Sequence, residues 1–276
     1  MSTDQLQAYA ARYGEAAIPA GAGSGPWNPV IAGLLAHRSV RAYRPDPLPA
    51  GTLDMLVATA QSAATSSNMQ SWSVVAVTDA ATKAAMADVA GGQRHIEQCP
   101  LFLVFLADLS RHERLAAEEG AALEGLPFLE TFLVAALDAG LAAQNAVVAA
   151  ESIGLSTVYI GALRNNVERV AELLNLPPGA AGVFGLCVGY ADEARSAEVK
   201  PRLPQPAVLH RERYDAAGEP VHRAAYDQAL ASFSARHEMS AYRWTDRALS
   251  RWGRIASLHG RDGLKQALRR LGFPLR

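Results

Sequence analysis

The residues best equipped for chemistry lie in two short basic clusters far apart in the chain. His37-Arg38-Ser39-Val40-Arg41 comes early, and Lys200-Pro201-Arg202-Leu203-Pro204 comes late. A hydroxyl-rich stretch between them, Thr65-Ser66-Ser67-Asn68-Met69-Gln70, runs directly into an apolar segment. Arg38, Arg41, Lys200 and Arg202 together with short hydroxyl donors, all placed in breaks between regular elements, form the donor set a phosphate ester requires. A guanidinium fork matches phosphate oxygens, and charge-assisted hydrogen bonds are the strong ones. A single basic cluster is more often solvated surface; the combination points to bound anion.

What is missing sharpens this reading. The sequence contains no Walker A loop, HExxH pair, GxSxG elbow or EF-hand loop. Its seven histidines are scattered without ligand spacing, so no metal site is expected. Cys99 and Cys187 each sit inside an apolar run and read as small buried hydrophobes of a reducing compartment. Anion-binding groups without a visible acid, base or nucleophile suit an enzyme whose cofactor carries the chemistry.

The 276 residues carry 26 basic and 27 acidic side chains and a net charge of -1, which leaves no electrostatic footprint for nucleic acid or an anionic membrane. Half of the residues are hydrophobic, enough for a large core. The N-terminus lacks the pattern of a secretory signal, and polar residues interrupt the most apolar segment, 126–150, so a cytoplasmic protein is expected.

The elements that must position these groups follow from periodicity and punctuation. Residues 1–30 read as an extension and linker, with a short polar helix over 4–13 and a glycine-rich connector over 21–26. The remainder, 31–276, reads as one domain. Helices are expected over 31–36, 52–63, 80–90, 128–153, 166–174, 226–232 and 267–271, with part of 110–126 also helical. Strands are expected over 73–78, 101–106, 157–160 and 183–188. In the extended connection after residue 36, His37, Ser39 and Arg41 should share a face and Arg38 the opposite one. The helix over 128–153 is apolar on nearly every side and should be buried all round, which favours a subunit interface. Strands mixed irregularly with helices predict an α+β fold.

These segments also resemble a known family. His37 to Tyr43 is similar to the opening motif of the nitroreductase superfamily of flavoproteins. Four further runs, 91–95, 158–166, 185–190 and 200–204, resemble its oxygen-insensitive NADPH nitroreductase and flavin reductase group (the major nitroreductase type), as does the 142–152 helix. The resemblance runs from about Ile31 to the C-terminus. It implies an FMN-binding α+β fold with an antiparallel-rich central sheet flanked by helices. It also implies an obligate homodimer with one FMN at each interface site, and NADPH or NADH as electron donor.

Position by position, the resemblance places His37, Arg38, Ser39, Arg41, Thr65, Ser67, Gln93, Tyr159, Gly161, Lys200 and Arg202 on flavin contacts. Their chemistry then divides them. Lys200, Arg202, Arg38 and Ser39 suit the phosphate, and Arg41 suits the pyrimidine edge of the ring. Thr65, Ser67 and Gln93 suit the ribityl hydroxyls or ring carbonyls, and Gly161 would allow close passage of the backbone. Local roles remain open beside these: Ser67 or Gln93 capping a turn, Tyr159 in the core, Gly161 serving the turn alone. Arg236 lies where the group carries an arginine for the nucleotide 2′-phosphate. The expected function is ping-pong reduction of nitroaromatics, quinones or flavins by an FMN-dependent NAD(P)H oxidoreductase. Alternatives are a flavin reductase supplying reduced FMN to a partner oxygenase, and a non-catalytic FMN-binding module.

Overall fold

The computed structural model describes residues 3–195, 197–237 and 243–276. In chain order its helices begin with α1 (Thr3–Tyr13), α2 (Pro29–Ala36), α3 (Thr52–Gln61) and α4 (Ala80–Val89). They continue with α5 (His95–Gln98), α6 (Ser110–Glu119), α7 (Leu129–Ser152) and α8 (Val167–Leu173). Helices α9 (Glu219–Arg236), α10 (Trp244–Trp252) and α11 (Leu264–Arg270) follow. The strands are β1 (Trp72–Val77), β2 (Leu101–Asp108), β3 (Ser156–Ile160) and β4 (Ala180–Gly189). The described residues divide into two compact units, one from 1–38 and 197–258, the other from 39–196 and 259–276.

The second unit holds the sheet, ordered β1-β2-β4-β3 with every pairing antiparallel. Strand β2 is buried at all eight positions, as its unbroken apolar run predicts for a strand covered on both faces. On one face α7 packs through alanines: Ala139, Ala142, Ala143, Ala146 and Ala150 lie against Leu103, Phe105, Leu186 and Val188. Small side chains let the helix approach the sheet closely. The large ones point the other way, with Leu129, Leu133, Leu137 and Leu141 left 49–58 % exposed. Within a single chain one stripe is thus buried and a leucine stripe is open, and burial on every face would need a further surface to cover the leucines.

Helix α7 is long and apolar enough to cross a membrane by length and composition. Its Asp138, however, is buried and accepts the Ser66 N–H at 3.1 Å, and its alanine stripe is committed to the sheet.

A β-bulge lies between Phe105 and Leu106. Beside it Gly185 faces Phe102 so closely that a Cβ would lie 2.2 Å from the ring. The returning segment 259–276 completes this unit. Leu268, Phe273 and Leu275 pack on Ala107, Leu109, Ala135 and Ala181, and Phe273 meets Phe132 edge-on at 5.2 Å. Gly272, at φ 95°, brings its backbone against Gly179, whose N–H donates to Leu271 O at 2.8 Å.

In the first unit, Asn28 caps α2 by accepting the Ile31 N–H, with Pro29 at the first helical position. Tyr226, Leu230 and Phe233 of α9 form a small core with Leu203 and Trp244. Asp227 ties α10 to α9 by accepting both the N–H and the hydroxyl of Thr245. Helix α9 is far longer than the expected 226–232, and α10 was not expected at all.

Candidate functional site

The two basic segments converge in the first unit. Arg12, in the last turn of α1, is only 6 % exposed. Its guanidinium donates to Leu35 O at 2.6 Å and His37 O at 2.8 Å through Nη2, and to Lys200 O at 3.1 Å through Nη1. Its own carbonyl accepts the Arg202 N–H at 2.8 Å. The Pro201 carbonyl accepts from Tyr226 Oη, which fixes the late segment to α9. Arg202 folds back on the Lys200 and Pro201 carbonyls, while the Lys200 ammonium lies 5.6 Å from the Phe233 ring centroid. Arg236 lies over the same ring at 5.9 Å and pairs with Glu198 at 3.6 Å. Arg12 thus gathers the backbone of Leu35, His37, Lys200 and Arg202, and the Lys200 and Arg236 side chains both approach the Phe233 ring.

The second unit gathers the other residues around β3. Val40 N–H donates to Thr157 O at 3.0 Å, and Ser39 bridges Thr157 in parallel register. From Ser39 to Ala42 exposure alternates as expected of an extended segment, with Ser39 and Arg41 exposed and Val40 and Ala42 buried, but Arg38 is exposed alongside Ser39 and does not fall on the buried face. Tyr159 is also exposed, stacked edge-on against Phe184 at 5.2 Å, with its hydroxyl donating to Gln144 Oε1 at 3.3 Å. Burial, reinforced by the Glu151 charge, pushes the Tyr159 phenol up, so it remains a donor at ordinary pH. Near Arg41 lies His95, whose imidazole is held below its usual value by burial and then by the Arg41 charge. His95 Nε2 is buried without a hydrogen-bond partner among the described residues. Such an atom beside an exposed guanidinium fits a ligand that supplies the missing bond.

The hydroxyl-rich loop is strained and clamped. Ser67, Asn68 and Gln70 all adopt left-handed backbone, with φ of 49°, 55° and 50°. Each such non-glycine residue costs on the order of 1–3 kcal/mol and persists only where its surroundings over-determine it. Here Asp138 holds the Ser66 N–H, His112 Nε2 donates to Met69 O, and Arg111 donates to Gln70 O at 2.8 Å. Asp138 Oδ2 is another buried polar atom without a partner among the described residues. The clamp fixes the backbone and leaves Ser66 and Ser67 exposed and Thr65 half-buried. Strain held this firmly is characteristic of ligand-binding loops.

The sequence profile of the Nitroreductase family matches residues 34–190, and that of the Nitroreductase family, C-terminal domain, matches 200–276. The chain belongs to the nitroreductase family. An oxygen-insensitive NADPH nitroreductase of Salmonella typhimurium is 38 % identical over 206 residues, covering 75 % of this chain and 82 % of that protein. A Bacillus subtilis FMN reductase (NADPH) is 38 % identical over 229 residues, covering 81 % and 91 %. Among solved structures, B. megaterium NfrA2 superposes with a TM-score of 0.84 at 36 % identity, covering 91 % of this chain and all of that one.

Within the chain, two nitroreductase-motif residues also have local partners. The Gln93 amide donates to Ala90 O at 3.0 Å, the local cap that was the simpler alternative. Gly161 opens a 3-10 turn over 161–166, and a Cβ there would sit 3.1 Å from an Arg164 guanidinium nitrogen. Arg164 therefore covers Gly161 while donating to Val183 O. Arg12, Asp138 and His95 were not singled out from sequence. Asp138 alone had a usable signal, a charge within the most apolar segment.

Proposed function

We propose that this chain is an FMN-dependent NAD(P)H oxidoreductase of the cytoplasm that passes two electrons to a small oxidised acceptor. Nitroaromatics, quinones and free flavins are the acceptor classes. The observation that carries the reading is the convergence of two basic segments, distant in sequence, on one guanidinium in the first unit. The donor sets fit the cofactor. In the first unit Arg38, Lys200 and Arg202 suit a phosphate dianion. In the second, Ser39, Thr65 and Ser67 offer hydroxyls, and Tyr159 offers an exposed aromatic face.

When bound, FMN supplies hydride acceptance and two-electron delivery. The protein binds and orients it, and the Arg41 guanidinium adds positive charge where reduction adds negative charge. His95, kept neutral near pH 7 by burial and Arg41, can hold a hydrogen bond to the ligand through Nε2 without adding a second cation. Arg236 suits the 2′-phosphate of NADPH, since its Glu198 partner is exposed and the pair is long.

The test is an anaerobic visible spectrum of FMN-loaded protein before and after NADPH. Flavin bands that bleach are expected. Bands that persist with both NADPH and NADH would sink the reductase reading. Arg236→Ala protein should require more NADPH for the same bleaching rate while its response to NADH is unchanged.

A homodimer is part of the same reading. The open leucine stripe on α7 leaves four large side chains about half exposed, each worth roughly 1 kcal/mol when covered. Sedimentation of the purified protein at the mass of one chain would refute it. The B. subtilis relative named FMN reductase (NADPH) supports free flavin as an acceptor, and with it a second reading in which the reduced flavin then leaves the protein. Weak FMN retention with rapid turnover of added flavin would distinguish it.

A further inference from the structure

Residues 3–33 lie outside both matched stretches, 34–190 and 200–276. Yet this extension contains the side chain that joins the two basic segments of the first unit. We propose that Arg12 is a positioning residue for recognition of the flavin phosphate. The inference rests on the FMN reading above.

The geometry is specific. One fork spans two backbone segments, with His37 O on Nη2 and Lys200 O on Nη1. Both receiving groups are main-chain carbonyls in the basic segments: His37 O directly precedes Arg38, and Lys200 O belongs to Lys200 itself, two residues before Arg202. The Arg12 carbonyl, an orphan acceptor in the last turn of α1, takes the Arg202 N–H. Arg12 thus contacts residues 200 and 202 on either side of Pro201, whose own carbonyl is held by Tyr226.

A rigid fork is suited to this task. Its planar donors lose less freedom per bond than a lysine's would, and its charge persists at all working pH values. Its positive charge, buried beside Lys200, also raises the local attraction for a dianion. Fixing Arg38, Lys200 and Arg202 in advance reduces the ordering cost at the moment of binding. Arg12 itself need not touch the ligand.

The experiment compares FMN with riboflavin, which lacks only the phosphate, by quenching of flavin fluorescence. Wild type, Arg12→Met, Arg12→Lys and Lys200→Ala/Arg202→Ala proteins are each titrated with both ligands, and thermal melting is followed in parallel. General destabilisation weakens both ligands alike, whereas loss of phosphate positioning weakens FMN alone. Arg12→Met is expected to bind FMN about tenfold more weakly, with riboflavin affinity within about twofold of wild type. Arg12→Lys, whose single ammonium cannot span both carbonyls, should fall between them.

A folded Arg12→Met protein that keeps the wild-type preference for FMN, while Lys200→Ala/Arg202→Ala loses it, would overturn the role of Arg12 and leave the FMN reading standing. A wild type without any preference for FMN over riboflavin would remove that reading, and this inference with it. If Arg12→Met shows no melting transition, Arg12→Lys decides: an unchanged preference in folded protein overturns the proposal, and a reduced one supports it.

Discussion

Lys200→Ala/Arg202→Ala protein is expected to bind FMN on the order of a thousandfold more weakly than wild type, with riboflavin affinity nearly unchanged. A charge-assisted hydrogen bond contributes about 1.5–3 kcal/mol, and each 1.4 kcal/mol is about tenfold in affinity. Two such groups lost together therefore remove two to four orders of magnitude, before allowance for coupling between neighbours. Lys200 is held over Phe233, and Arg202 is braced on the Lys200 and Pro201 carbonyls, so both are ordered in advance. The effect should also depend on ionic strength. Added salt should weaken FMN binding to wild type more than to the double variant, because part of the screened attraction is already gone. Fluorescence titration at two salt concentrations measures both. Equal FMN affinities would show that the late basic segment is surface and not site.

The second large effect is structural. Gly185→Ala should lower the melting temperature by on the order of 5–10 °C, or prevent folding. The added Cβ would lie 2.2 Å from Phe102 Cζ, 2.5 Å from Cε2 and 3.2 Å from Leu163 Cδ1. Phe102 is fully buried and Gly185 stands mid-strand between β2 and β3, so neither ring nor backbone has room to withdraw. Overpacking of a dense core costs about 1–3 kcal/mol and sometimes more. Trimming the ring in the double variant Gly185→Ala/Phe102→Leu should recover part of the loss, a coupling that contact demands. Melting curves of the two single variants and the double variant test this. An unshifted Gly185→Ala curve would contradict the packing described.

The sequence made the sheet legible because burial there is continuous. Leu101 to Leu106 has no polar interruption, so it reads as a central strand, and β2 extends only to Asp108. The long helix was equally clear, since Gly154 ends it and nothing breaks it earlier. Its orientation was not. With alanine and leucine both apolar, a pattern of hydrophobicity cannot tell the alanine stripe against the sheet from the leucine stripe left open. Helix α10 was missed because Trp244 alone of its large apolar residues packs against α9, while Leu249 and Trp252 are exposed among charged residues.

For the proposed site, composition and motif singled out Arg38, Ser39, Arg41, Lys200 and Arg202. Arg12 was not singled out, because its hydrogen bonds to residues 35, 37, 200 and 202 are all with main-chain groups. Main-chain partners leave no trace in residue identity. The strain at Ser67, Asn68 and Gln70 was hidden for a related reason: nothing in those residue types requires left-handed backbone, and only the clamp from Asp138, His112 and Arg111 imposes it.

The two units are interleaved along the chain, and this governs how the protein can be made. Residues 39–196 emerge from the ribosome before the segment that holds Leu268, Phe273 and Leu275. While residues 197–258 are added, at roughly 5–20 per second, the surface of Ala107, Leu109, Ala135 and Ala181 stays uncovered for several seconds. Helices α1 and α2 wait as well, since their unit is completed only by 197–258. A nascent chain stalled in that interval would carry open apolar surface on a sheet already able to form, a substrate for chaperones and a starting point for aggregation.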